Sequence, residues 1–245
     1  MVKRTALIAI VAVVILVAGS AAALASMGNN NAIPGATSAA GGNNNNGNNQ
    51  DSVEAITAKL LSPSIESAPA LGDPDAPVTI IEFGDYQCTW CHRWHQSTKD
   101  ALVADYVDTG KIQFIFKDFP INDLSDRASS MAAEASYCAA EQGRYWDYHD
   151  ELYNRWNGEN TGWVTKESLR QFAANIGLDG RAFSECLDSG RHSAAVRNNY
   201  ELAAMAGLNS TPSFIVLVDG ETPKLIKGAH PYDTFKQVID EVYAS

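Results

Sequence analysis

Val78-Thr79-Ile80-Ile81-Glu82-Phe83-Gly84-Asp85-Tyr86-Gln87-Cys88-Thr89-Trp90-Cys91-His92 decides how this chain folds. Its first six residues are β-branched or aromatic at every position except Glu82, and they follow the turn-forming Pro74-Asp75-Ala76-Pro77. That combination predicts a strand. A helix is expected from the Cys88 region to about Val107, ended by Gly110, and Ile112 to Phe116 reads as a second strand. Strand, helix and strand in this order form a β-α-β unit, with parallel strands and a right-handed crossover.

Cys88 and Cys91 stand three apart at the expected start of the helix. There the unpaired backbone N–H groups and the helix dipole favour a thiolate. The thiolate attacks or leaves in disulfide exchange, so this position suits an exposed nucleophile at Cys88 and a resolving thiol at Cys91. Spacing alone leaves two other readings open. The pair could be a simple local disulfide. It could also be half of a metal site, completed by His92 and His95 on neighbouring turns, since no second Cys-x-x-Cys exists.

Downstream, the pattern is helical from about Asp123 to Gly207. Ala132, Ala135 and Ala139 share one helical face, and Tyr145, Trp146, Tyr148 and Leu152 continue the apolar pattern. Further helices are expected at Lys166 to Ile176, Arg181 to Leu187 and His192 to Met205. Strand character returns at Ser213 to Val218. Asp219-Gly220 signals a hairpin turn into Lys224 to Lys227, and Tyr232 to Tyr243 reads as a last helix. The expected architecture is α/β, with a helical insertion at about 123–207 between a β-α-β half and a β-β-α half.

The ends differ from this middle. Residues 1–26 carry Lys3 and Arg4, then an uncharged apolar run, then Ala23-Leu24-Ala25, the layout of a secretory leader. Thr5 to Ala25 is also long enough to serve as an N-terminal membrane anchor. Either way the domain is expected outside the cytoplasm. Residues 27–51 are rich in Asn and Gly and read as a flexible linker, 52–63 as a short leading helix, and 64–245 as the folded domain. A net charge of −11 argues against nucleic-acid binding. In an exported chain the four cysteines can persist as disulfides.

The segment from Glu82 to His92 resembles the active-site segment of the DsbA-like thioredoxin-fold thiol–disulfide oxidoreductases. Thr211-Pro212-Ser213-Phe214 is similar to that family's cis-proline loop, and the helical insertion also matches; the similarity covers about Ser64 to Ser245. The resemblance implies a thioredoxin fold with Pro212 cis beside Cys88 and the Thr211 backbone pairing with an extended substrate segment. It implies that Glu82 is a buried acid relaying protons to or from Cys91; Lys117, which closes the second strand, is a suggested partner for it. Thr89 and Trp90 would tune the thiolate and meet the substrate. Here the sequence departs from the best-known members, which carry Pro-His between the cysteines, so the direction of electron flow stays open.

The expected activity is an oxidase that introduces disulfides into reduced exported polypeptides and is reset by a separate redox partner. A reductase or isomerase of the same fold is one alternative, and a copper-binding metallochaperone using the same cysteines is another. No cofactor or bound metal is expected for the leading reading. Cys138 and Cys186, both in the helical block, are expected to form a structural disulfide, against the alternative of two buried free thiols. The sequon Asn209-Ser210-Thr211 abuts the Pro212 loop and is read as incidental.

Overall fold

The computed structural model describes residues 55–65, 68, 70–218 and 223–244. The expected leader or anchor (1–26), the linker (27–51) and the Asp219-Gly220 turn lie outside the described residues. Among the described residues, no helix is long and apolar enough to cross a membrane.

β1 (Val78–Gly84) is buried along its whole length, as suits a near-continuous apolar run at the centre of a sheet. β2 (Ile112–Asp118) lies parallel beside it, in register from Val78 opposite Ile112 to Gly84 opposite Asp118. On its other side β3 (Ser213–Val218) runs antiparallel, and β4 (Lys224–Lys227) completes the order β2-β1-β3-β4. Alternation along β1 divides the core in two. Val78 and Ile80 pack with Phe114, Phe214, Trp94 and Phe235. Ile81 and Phe83 pack with Ile115, Ile215, Leu202 and Leu60 on the opposite face.

α1 is the helical backbone at residues 55–61. α2 runs as unbroken helical backbone in four parts: Thr89–Trp94, a π turn at His95–Lys99, Asp100–Leu102, and a second π turn at Val103–Val107. The insertion comprises α3 (Ala128–Ala140), α4 (Tyr145–Asn154), α5 (Lys166–Asn175), α6 (Gly180–Ser189) and α7 (Ser193–Met205). Ala132, Ala135 and Ala139 are fully buried, where small side chains let Tyr137, Tyr148 and Phe183 fill the core. α5 starts at a Thr165/Ser168 capping box and α6 at the Asp179 cap, so each start is locally specified. Cys138 and Cys186 are joined by a disulfide linking α3 to α6, with α4 and α5 between them in the chain. α8 (Tyr232–Ala244) returns to cover the sheet. This is a thioredoxin fold with a helical insertion between its two halves.

Candidate active site

Cys88 is the N-cap of α2, with extended backbone (φ −64°, ψ 125°), and its sulfur accepts from the Cys91 N–H at 3.4 Å. The loop that delivers it is fixed by Asp85. One carboxylate oxygen accepts from the Gln87 N–H at 2.8 Å, the other from the Asn122 N–H at 2.9 Å. Both active thiols are free. The expected exposure of Cys88 is corrected: it is only 4% exposed, tucked against Thr211, and Cys91 is fully buried. A hydrogen bond from the Cys91 side chain, with help from Thr211 and the backbone N–H groups of Cys91 and Trp90, brings the Cys88 thiol down to about 6 against the opposing effect of burial. Burial foremost, and then the neighbouring Cys88 and Glu82, push Cys91 well above the ordinary thiol range. One sulfur is thus a ready thiolate and the other a reluctant one.

The Thr211-Pro212 peptide bond is cis, and the Thr211 carbonyl accepts from the Cys88 thiol at 3.5 Å. The Thr211 Oγ1 is buried and has no hydrogen-bond partner among the described residues. Thr211 and Cys88, 123 positions apart, therefore meet where the loop entering β3 crosses the start of α2.

Glu82 lies in β1, 2% exposed, on the Ile80 face of the sheet. Burial drives its carboxyl well above the usual range; the Lys99 charge opposes this and a Cys88 thiolate adds to it. Gly84 makes room here, because a Cβ at that position would come within 2.5 Å of Phe116 Cε2 and 3.1 Å of Glu82 Oε1. The suggested Lys117 partner is corrected. Register places Lys117 opposite Phe83 and Phe116 opposite Glu82, so alternation sends Lys117 to the other face of the sheet. There its Nζ donates to the Ser62 carbonyl, and burial brings its pKa down to about 8. The cation acting on Glu82 is Lys99, from the first π turn of α2. Its Nζ lies 2.6 Å from Asp150 Oδ1, and His95 Nε2 is 3.1 Å from the same oxygen.

Between the cysteines, Thr89 donates both its N–H and its Oγ1–H to Glu159 Oε2, each at 3.3 Å. Trp90 is 56% exposed, with the Arg93 guanidinium 4.6 Å from its ring centre. Trp156 donates its indole N–H to the Gln87 carbonyl at 2.9 Å and stacks on His92 at 4.4 Å. The sequence carried no signal for Glu159, Trp156, Lys99 or Asp150, because the fold alone brings them to the cysteines.

Metal binding at the pair loses its geometric support. Among the described residues, the groups close enough to hold an ion are Cys138 with Cys186 and His192, and His95 with His149 and Asp150. Neither includes Cys88 or Cys91. His92 faces the Tyr153 carbonyl at 3.1 Å and His95 faces Asp150, so the two histidines do not assemble with the cysteines. The first group's sulfurs are already in a disulfide, and the Lys99 ammonium already pairs with Asp150 in the second.

A family model described as Thioredoxin matches residues 64–241. The disulfide bond formation protein D of Bacillus subtilis is 28% identical over 180 residues, covering 73% of this chain and 78% of that protein. The crystal structure of oxidised BdbD from Bacillus subtilis superposes with a TM-score of 0.64 at 28% identity, covering 75% of this chain and 96% of that one. The chain belongs to the DsbA-like thioredoxin-fold oxidoreductases. A second DsbA structure, alpha-DsbA1 of Wolbachia pipientis, gives a TM-score of 0.62 at 27% identity over 71% of this chain and 90% of that one.

Proposed function

We propose that this DsbA-like protein is an extracytoplasmic oxidase that donates the Cys88–Cys91 disulfide to reduced exported polypeptides. The observation that carries the proposal is the placement of Cys88 at the cap of α2, where its Sγ accepts from the Cys91 N–H beside Thr211, which favours a Cys88 thiolate while burial favours a protonated Cys91. A stabilised thiolate favours the reduced pair, so its disulfide is readily given away. In the cycle, a substrate thiolate attacks Cys88 Sγ and the Cys88–Cys91 bond breaks. Its electron pair goes to Cys91 Sγ, which takes up a proton, and Glu82 is placed to supply it. A second substrate thiolate then attacks the mixed disulfide and releases Cys88 as thiolate. The substrate leaves oxidised by two electrons, and a separate redox partner must remove those electrons from the protein.

Thr211 and Pro212 serve here as the edge on which an extended substrate lies, and Thr89 and Trp90 as the rim it passes. Residues 64–245 form the catalytic unit, 27–51 its tether, and 1–26 the leader or anchor that exports it. The Cys138–Cys186 disulfide supports a location where such bonds persist.

Equilibration of the Cys88–Cys91 couple with glutathione tests the direction. A potential above about −180 mV, towards the strongly oxidising end of the family's range, is expected. A potential near about −270 mV would make the protein a reductase.

A further inference from the structure

The loop between α4 and α5 reaches over the start of α2 and sets a carboxylate beside the nucleophile. Trp156 anchors one end, through its hydrogen bond to the Gln87 carbonyl and its stacking on His92. Beyond it, the backbone takes positive φ at Gly158 (100°), Asn160 (55°) and Gly162 (80°), and Thr161 Oγ1 donates to the Asn157 carbonyl at 2.7 Å. These turns present Glu159 to Thr89, the residue immediately after Cys88, whose N–H and hydroxyl it accepts. Glu159 is exposed and has no cationic partner among the described residues. Arg93, a cation on this rim, is held over Trp90. A fixed, unneutralised anion therefore stands one residue from the sulfur where a substrate must bind.

We propose that Glu159 selects substrates by charge, favouring thiols and polypeptide cysteines that carry a nearby cation and disfavouring those that carry a nearby anion. The inference rests on Cys88 being the sulfur that meets substrate. Its physical basis is the Coulomb interaction of a fixed carboxylate with a group brought within several ångströms of it in partly solvated surroundings. The selected step is the first exchange. The incoming thiolate bonds to Cys88 Sγ, the Cys88–Cys91 bond breaks, and its electrons pass to Cys91, which is protonated. Glu159 contributes only the charge of its carboxylate.

The test reduces the oxidised, full-length protein with three small thiols: cationic cysteamine, neutral 2-mercaptoethanol and anionic 2-mercaptoethanesulfonate. The ratio of the cationic to the anionic rate is compared between the native protein and Glu159→Gln, which keeps an acceptor oxygen for Thr89. A change in thiolate stability alone multiplies all three rates alike and leaves the ratio unmoved, as would a purely structural role for Glu159. The expected ratio falls about fivefold in Glu159→Gln at low salt, and added salt narrows the native ratio but not the variant's. Glu159→Lys is expected to reverse the order of preference. A ratio that stays within about twofold across all three proteins overturns the proposal. Failure of every thiol to reduce Cys88–Cys91 would instead refute the redox reading beneath it.

Discussion

Cys88 and Cys91 are chemically alike and differ only in where the fold puts them. The first caps a helix and lies beside Thr211, while the second is sealed below it. Thr211→Val keeps the carbonyl that accepts from Cys88 but deletes a hydroxyl that no other described group uses. The Cys88 pKa, followed by thiolate ultraviolet absorbance against pH, should rise above about 6 in this variant. An unchanged titration would remove the hydroxyl from the site's electrostatics. Glu82→Gln should slow both the first attack on Cys88, in which Cys91 leaves, and its reverse, the release of mixed disulfide by Cys91, about 100-fold and flatten their pH dependence. Stopped-flow decay of a trapped mixed disulfide measures this, and native-like decay would deny Glu82 its relay role. The family resemblance pointed to Glu82 as a buried acid, and it is buried. Lys117 misled because the face on which a strand residue lies depends on pairing register, which local sequence does not state.

Among the elements, the strands and insertion helices were legible because their signals are local: β-branched runs, apolar periodicity, and Gly or capping residues at the ends. The two π turns of α2 were not. A change in backbone wiring leaves the apolar pattern helical while turning His95 and Lys99 inward together. The loop that brings Trp156 and Glu159 to α2 was equally hidden, since no local signal records a contact about seventy positions away. The disulfide between α3 and α6 spans 48 positions and, by chain entropy, stabilises the fold by about 4 kcal/mol at most. The double variant Cys138→Ala/Cys186→Ala should lose about 2 to 4 kcal/mol in denaturant melts. An unchanged midpoint would show that packing of the insertion suffices without the link.

The whole molecule couples its redox state to its stability. Cys88 has a lower pKa folded than unfolded, so the reduced protein gains stability that is full above the unfolded thiol value and is lost as pH falls through about 6. The oxidised protein has no such titration. From pH 5 to pH 8, the reduced form should gain about 2 to 3 kcal/mol relative to the oxidised form. Parallel thermal melts of the two forms test this, and parallel pH profiles would contradict the low Cys88 pKa. The Cys138–Cys186 link adds another consequence. It brackets the stretch that supplies Asp150, Tyr153, Trp156 and Glu159, whereas Glu82 lies in β1 and Pro212 directly precedes β3. The outer wall of the site therefore depends on the thiol poise of its surroundings in a way that the floor does not. Where that link is cut, the side chains that decide what may approach Cys88 would loosen before the strand that carries Glu82.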